Sequence, residues 1–150
     1  MEYIEAPTNW LNSSPTSAVF LAGGITGCPD WQSELVKLLA KTNYVVFNPR
    51  RENFPIDDPE AAPLQIRWEF NYLRKADVIS FWFPAEGVRP IVMYELGAWS
   101  MTDKPIVVGV EPGFWREQDV SIQTSLVRPE LHIVDNLEDL ANQLKTLEAK

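Results

Sequence analysis

The chain has 150 residues, of which 45% are hydrophobic and 23% are charged, and this composition is typical of one globular domain with its own core. Its formal net charge is -8, which argues against a nucleic acid polymer as partner, because phosphate binding relies on Lys and Arg. Because the chain has a single cysteine, it cannot form an intrachain disulfide. With one cysteine and one histidine, a Cys-rich or His-rich metal site has no support either. We therefore expect a single domain that binds neither a metal nor a nucleic acid polymer.

The N-terminus has no basic start followed by an apolar run, and the sequence has no apolar stretch of the roughly 18 residues that a membrane span requires. These features predict a cytoplasmic protein without a membrane partner. We expect residues 1–17 to form an N-terminal arm and residues 18–150 to form the domain.

Short apolar runs then alternate with amphipathic stretches. "AVFLA" (18–22) predicts a strand, and "DWQSELVKLLAKT" predicts a helix that Asp30 caps. Further strands are predicted at "YVVFNP" (44–49), "DVISFWF" (77–83), "PIVVGV" (105–110) and, as a short fifth strand, "LHIV" (131–134). Helices are predicted at 63–76, from Pro90, and at 136–149. The pattern predicts an α/β fold: a single doubly wound (flavodoxin/Rossmann-like) domain with a five-stranded, mainly parallel sheet.

Four segments follow predicted strands: "GGITGCPD", "NPRRENFPIDD", "PAEGVRP" and "EPGFWREQD". Ligands of open parallel sheets bind beyond the carboxyl ends of the strands. The first segment is predicted to bring the backbone of Gly23, Gly24, Ile25 and Thr26 close to a phosphate or sugar, although a tight turn explains the glycines equally well. It has neither the dinucleotide nor the ATP fingerprint, so we expect no cofactor.

Glu95 is a single carboxylate in the otherwise almost wholly apolar segment "RPIVMYELGAWS" (89–100). On a helix it has Val92 and Trp99 among its neighbours, so burial is expected to raise its pKa unless donors stabilise the charge. An ion pair with Arg89 or Arg74, or a place at the rim of the sheet, is the alternative.

Glu69 is a second carboxylate of this kind, because its helical neighbours Ile66, Tyr72 and Leu73 are apolar. An ion pair with a nearby arginine is again the alternative. Glu69 and Glu95 precede and follow the same predicted strand, which allows them to share one site. Paired carboxylates of this kind commonly break glycosidic bonds.

The segments "VFLAGGITGCPDW", "NPRRENFP", "QIRWEFNYLRKADVISFWF" and "YELGAWS" together resemble the nucleoside 2-deoxyribosyltransferase superfamily, in particular its small deoxyribosyltransferase-like branch. The resemblance implies that Glu95 is the nucleophile that attacks the anomeric carbon and that Glu69 holds the sugar hydroxyls or assists proton transfer. Asp77 matches an aspartate of the family, which implies a catalytic role; the alternative is a structural hydrogen bond at the start of the strand. The resemblance also implies a nucleoside or nucleotide substrate and a homo-oligomer.

Transfer to a second base and hydrolysis by water remain open, because both proceed through one glycosyl-enzyme intermediate. The lead-in "AEGVRP" departs from the polar lead-in of the family, which keeps a non-catalytic nucleoside-binding or sensing module as the alternative function. A structural protein with both carboxylates in ion pairs is a third hypothesis.

Further residues are candidates for substrate binding. Arg89 is placed to bind a 5′-phosphate or carboxylate, or to neutralise a neighbouring glutamate. Arg50 follows the second predicted strand and is placed to reach an anionic ligand, with a solvated surface position as the alternative. Trp31 and Trp82 border loops at strand ends and are the better candidates for stacking on a nucleobase.

Overall fold

The structure, a computed structural model, describes residues 1–11 and 16–148. Its single sheet has five parallel strands: β1 (Glu2–Glu5), β2 (Ala18–Gly23), β3 (Val45–Asn48), β4 (Val78–Phe83) and β5 (Ile106–Val110). The helices are α1 (Trp31–Leu38), α2 (Ala61–Lys75), α3 (Pro90–Ser100), α4 (Glu117–Val127) and α5 (Leu137–Glu148). The predicted α/β fold with a five-stranded parallel sheet is confirmed.

The strand order β1-β3-β2-β4-β5 places β2 at the centre of the sheet. From β2 the chain winds outward to β3, and after β3 it crosses back over β2 to reach β4. The direction of winding therefore reverses between β2 and β4. A crevice opens beyond the carboxyl ends of these two strands, which is where parallel sheets of this type bind their ligands.

Helices cover the sheet on both faces, and the strands are apolar on both sides for this reason. On one face, Phe20 of β2 and Phe81 of β4 pack in a core with residues of α2, α3 and α4. On the other face, Leu21 and Trp82 pack in a core with residues of α1 and α5. Because neighbouring strand residues point to opposite faces, this alternation decides which side chains reach which side of the crevice.

Local signals fix the helix ends close to their predicted places. Asp30 caps α1, because its side chain accepts a hydrogen bond from Ser33 N at 3.2 Å. Pro90 opens α3, where its missing N–H group costs nothing. The C-terminal end predicted for the last helix, Ala149, lies outside the described residues.

Two sequence predictions are wrong in detail. The segment 131–134 is not a strand, because only Val134 bridges β5, at Gly109, before the chain turns into α5. The fifth strand is β1, which lies inside the predicted arm and pairs with β3 along its full length. The sequence also predicts no helix between the strand that ends at Val110 and residue 131, but α4 forms there and buries Val120 and Thr124 one helical turn apart.

Candidate functional site

A cavity of about 570 Å³ lies at the reversal point of the sheet. Its walls are the loop that follows β2, the first half of α3 and one side of α2. Residues of three predicted groups line it together: the loop residues Gly23, Gly24, Ile25 and Thr26, the carboxylates Glu69 and Glu95, and Arg89. The cavity therefore unites side chains that are distant in sequence.

Glu95 is half-buried at the middle of α3, and its pKa is raised from an ordinary value of 4.5 to about 8. Burial is the larger cause, because it disfavours the charged form, and repulsion from Glu69 is the second. Burial also raises the pKa of Glu69, although the hydrogen bond from Gln65 acts in the opposite direction. In the ligand-free site at neutral pH, Glu95 therefore holds a proton more readily than Glu69.

The alternative of ion-paired carboxylates finds no support in the described parts of the chain. The ion pairs there are Arg50–Asp30, Arg116–Asp119 and Arg128–Glu130, and none of them includes Glu69 or Glu95. Arg74 donates to the carbonyl of Phe70 and stacks on its ring. Both site carboxylates thus face the cavity without a counter-charge.

Gln65 positions Glu69, and this residue was not recognised from the sequence. Its Nε2 group donates to Glu69 Oε1 at 2.8 Å and to the carbonyl of Pro49 at 2.7 Å. The two bonds use both protons of the amide, so they fix the Glu69 carboxylate relative to the end of β3. The spacing i, i+4 on α2 is the signal that was available in the sequence.

Arg89 occupies the N-cap position of α3 and is buried against the loop after β2. It donates to the carbonyl oxygens of Thr26 at 3.0 Å, of Val88 at 3.4 Å, and of Glu86. A Cβ atom on Gly24 would overlap Arg89 Nε, so glycine is required where the guanidinium crosses the loop. The expected pairing of Arg89 with Glu95 or Glu86 carboxylate is replaced by these backbone contacts.

Arg50 also supports the loop instead of facing the cavity. Its guanidinium donates to the carbonyl oxygens of Ile25 at 2.8 Å, Pro29 at 3.1 Å and Cys28 at 3.3 Å, and its Nε lies 3.5 Å from Asp30. The sequence predicts that Arg50 contacts an anionic ligand or lies solvated at the surface. In the structure, Arg50 instead holds the loop that lines the cavity.

Trp31 and Trp82 lie on the other face of the sheet. Both line a second cavity of about 570 Å³ between α1 and α5, and the carboxylates Glu69 and Glu95 do not belong to it. Trp31 Nε1 donates to the carbonyl of Gly24 at 2.7 Å, and its ring occupies the space where a Cβ on Gly23 would lie. The structure therefore does not bring these two rings to the carboxylate pair.

Asp77 precedes β4 at the amino edge of the sheet. Its Oδ2 atom accepts a hydrogen bond from Ala18 N at 2.8 Å, and its own N–H group donates to the carbonyl of Ala18. The six residues of β4 separate it from the cavity edge by roughly 20 Å. The structural role considered for Asp77 accounts for all of these contacts.

The described residues, 1–11 and 16–148, contain no cluster of His, Cys, Asp and Glu side chains suited to hold a metal ion. No helix among them combines the length and apolarity that crossing a membrane requires.

Comparison with known protein families identifies the family of the chain. Residues 16–114 match the family described as nucleoside 2-deoxyribosyltransferase like, and this range includes every residue that lines the cavity. No curated protein matches the chain.

Proposed function

The chain belongs to the nucleoside 2-deoxyribosyltransferase-like family, and on that premise we propose that it cleaves or transfers the N-glycosidic bond of a nucleoside or nucleotide through a covalent glycosyl-Glu95 intermediate. One observation supports this function above all. Glu69 and Glu95, from two different helices, line one cavity at the reversal point of the sheet, and no cation of the described residues forms an ion pair with either of them.

In the first step, a carboxylate oxygen of Glu95 forms a bond to C1′ of the sugar while the bond from C1′ to the base nitrogen breaks. The bonding electron pair leaves with the base, whose nitrogen takes up a proton from solvent. The transition state resembles an oxocarbenium ion, whose positive charge is stabilised by an adjacent carboxylate. Glu95 must be ionised for this step, and the developing positive charge at C1′ favours its ionised form.

In the second step, the nitrogen of another base or the oxygen of water attacks C1′, the Glu95 carboxylate leaves, and the attacking atom gives up its proton to solvent. Two displacements at one carbon give net retention of configuration. A second base gives a transferase and water gives a hydrolase, depending on how well the closed site excludes water.

Glu69 is proposed to hold the sugar and not to attack it. Gln65 fixes the carboxylate of Glu69 and favours its charged form, which accepts hydrogen bonds from sugar hydroxyls. Correct placement of the sugar brings C1′ within reach of Glu95, and misplacement by about 1 Å costs on the order of 100-fold in rate.

The proposal is tested by incubating the protein with deoxynucleosides and their 5′-monophosphates, with and without an acceptor base. Chromatography detects free or exchanged base, and intact mass detects the sugar adduct. Glu95→Gln is expected to lose both products, while Glu117→Gln, the same change at an exposed position of α4, is expected to keep them. Adduct formation in Glu95→Gln would contradict the assignment of the nucleophile.

A binding or sensing module on the same fold is the second candidate. The observation that favours it is the high pKa of Glu95, because a neutral carboxyl group binds a sugar but does not attack it. Binding of nucleosides by the wild-type protein across the panel, without product or adduct at any pH up to 9.5, would favour this candidate over the enzyme.

Exposed apolar side chains on α2 and α3 support a homo-oligomer as a further part of the proposal. The helix α3 is apolar on nearly all sides, which is typical of a helix that is covered on all sides. The most exposed large apolar side chains of the two helices are Ile66 at 65% and Phe70 at 53% on α2, and Ile91 at 64% and Tyr94 at 78% on α3. A second copy of the chain is the proposed cover. Light scattering is expected to give a mass above that of one chain for the wild type and the mass of one chain for Tyr94→Glu.

A further inference from the structure

Residues 1–11 lie outside the range that matches the family, yet they contact both elements that Gln65 joins, β3 and α2. The strand β1 pairs with β3 along its full length. The N–H group of Ala6 then donates to the carbonyl of Asn48, the last residue of β3, at 3.0 Å. The chain is therefore fastened to the end of β3 directly before Pro49, whose carbonyl is one of the two acceptors of Gln65.

The chain after β1 next crosses to α2. The carbonyl oxygen of Thr8 accepts hydrogen bonds from Trp68 Nε1 at 2.8 Å and from the Tyr72 hydroxyl at 3.3 Å. The Tyr72 hydroxyl in turn accepts a hydrogen bond from the N–H group of Trp10. The ring of Trp10 lies 5.4 Å from the ring of Phe47, which belongs to β3. Three hydrogen bonds and one aromatic contact therefore connect α2 to β3 on the face of the sheet that carries the cavity.

The two donors on α2 share a helix face with the residue that holds the site carboxylate. Gln65, Trp68 and Tyr72 follow one another at i, i+3 and i+7, and all three are buried. Glu69 directly follows Trp68 and accepts a hydrogen bond from Gln65. Movement of α2 along β3 would therefore weaken the bond from Gln65 to Pro49 or to Glu69, because one amide group cannot follow both acceptors.

Aromatic packing also holds α2 against the sheet, but it fixes the position of the helix less sharply. The ring of Trp68 lies 6.1 Å from that of Phe20, and the ring of Tyr72 lies 4.7 Å from that of Phe47. Hydrophobic contacts of this kind are non-directional, whereas a hydrogen bond weakens steeply as its geometry changes. The bonds to the carbonyl of Thr8 are thus suited to fix the place of α2 along β3.

We infer that residues 8–10 are a positioning element for Glu69: they lock α2 to the end of β3, so that Gln65 holds the Glu69 carboxylate at one place in the cavity wall. Residues 8–10 are not part of that wall, so they act through α2 and contact no substrate there. The effect on catalysis rests on the proposed function, in which Glu69 holds the sugar.

The experiment removes these bonds from the side of α2, because the carbonyl of Thr8 is a backbone group that no substitution removes. Tyr72→Phe deletes a hydroxyl with its two hydrogen bonds and keeps the ring. Tyr44→Phe is the matched control, because its buried hydroxyl donates to the carbonyl of Leu144 at 2.8 Å on the other face of the sheet. Trp10→Leu, which leaves α2 itself unchanged, is added in case Tyr72→Phe does not fold.

The first readout is the NMR titration of Glu69, which does not depend on activity, and the second is kcat and KM for base release from a deoxynucleoside. We expect the pKa of Glu69 to rise in Tyr72→Phe, because the bond from Gln65 that lowers it is weakened. We expect kcat/KM to fall by about 10-fold, mainly through kcat, because the sugar still binds but C1′ is displaced from Glu95 by a fraction of an ångström. Tyr44→Phe should leave the titration and both kinetic constants unchanged.

An unchanged Glu69 titration in Tyr72→Phe overturns the positioning role. Equal changes in Tyr44→Phe also overturn it, because they would reflect a general loss of stability. A shifted titration with unchanged kcat/KM supports the positioning of Glu69 and contradicts its role in holding the sugar. A shifted titration in a protein that releases no base from any nucleoside supports the positioning role and contradicts the proposed function.

Discussion

The two cavity carboxylates are expected to titrate as an interacting pair, and Glu69→Gln tests this directly. The pKa of Glu95 is raised to about 8 by burial and by repulsion from Glu69. Replacing the Glu69 carboxylate by a neutral amide of the same shape removes the second cause and leaves the first. We therefore expect the pKa of Glu95 to fall below 8 in the variant, while burial keeps it above its ordinary value.

The consequence for activity follows from the fraction of ionised Glu95. With a pKa of about 8, only about one molecule in ten has the ionised nucleophile at pH 7 and about one in a hundred at pH 6. The wild-type value of kcat/KM, which reports the free enzyme, should rise with pH, reach half its maximum near pH 8 and level off at about pH 9. In Glu69→Gln the rise should occur at lower pH, even though the maximum is reduced because a contact to the sugar is lost.

Two measurements check this prediction. The first is the pH profile of kcat/KM for base release between pH 5 and 9.5, and the second is titration of the glutamate side-chain carboxyl carbons by NMR, which does not depend on activity. Glu117→Gln serves as the control that changes no group in the cavity. An unchanged Glu95 titration midpoint in Glu69→Gln would refute the argument that the two carboxylates repel each other across the cavity.

Three further predictions concern neighbouring groups. The free energy of unfolding of the wild type should fall as the pH rises from about 4.5 to 8, by up to about 1.4 kcal/mol per pH unit, because Glu95 keeps its proton in the folded state and loses it on unfolding. In Glu95→Gln, the free energy of unfolding measured with urea should depend less on pH. Gln65→Met should raise the pKa of Glu69 in the NMR titration, since the amide donor is lost. Asp77→Ala should cost about 1 kcal/mol in urea unfolding, because the hydrogen bond from Ala18 N is lost, yet leave kcat/KM unchanged, because Asp77 lies at the amino edge of the sheet, away from the cavity.

The fold was predictable where burial leaves a continuous apolar run in the sequence. The strands β2 to β5 are buried on both faces, so each reads as such a run. The strand β1 has the sequence EYIE and lies at the sheet edge, where none of its four residues is fully buried, so no comparable run marks it. Leu131–Val134 has strand-like residues, but pairing with β5 ends after one bridge.

The site was predictable where spacing along one element was sufficient. Glu69 and Glu95 each interrupt an apolar helix face, and the parallel sheet brings both helices to one crevice. The positions of Trp31 and Trp82 required knowledge of which helices cover which face of the sheet, and residue spacing does not contain that information. The role of Arg50 depended on the path of the loop after β2, which its three backbone acceptors reveal only in three dimensions.

The charged groups of the cavity are not paired with one another for stability. Arg89, Glu69 and Glu95 line one space, yet the arginine bonds to carbonyl groups and the carboxylates remain apart from it. If stability alone had shaped this region, close ion pairs or apolar side chains of similar volume would serve better, because isolated buried charges are destabilising. Such local conflict is expected where a protein binds or transforms a molecule that carries complementary charge. Under the proposed function, the positive charge that develops at C1′ of the sugar would relieve the conflict at the two carboxylates.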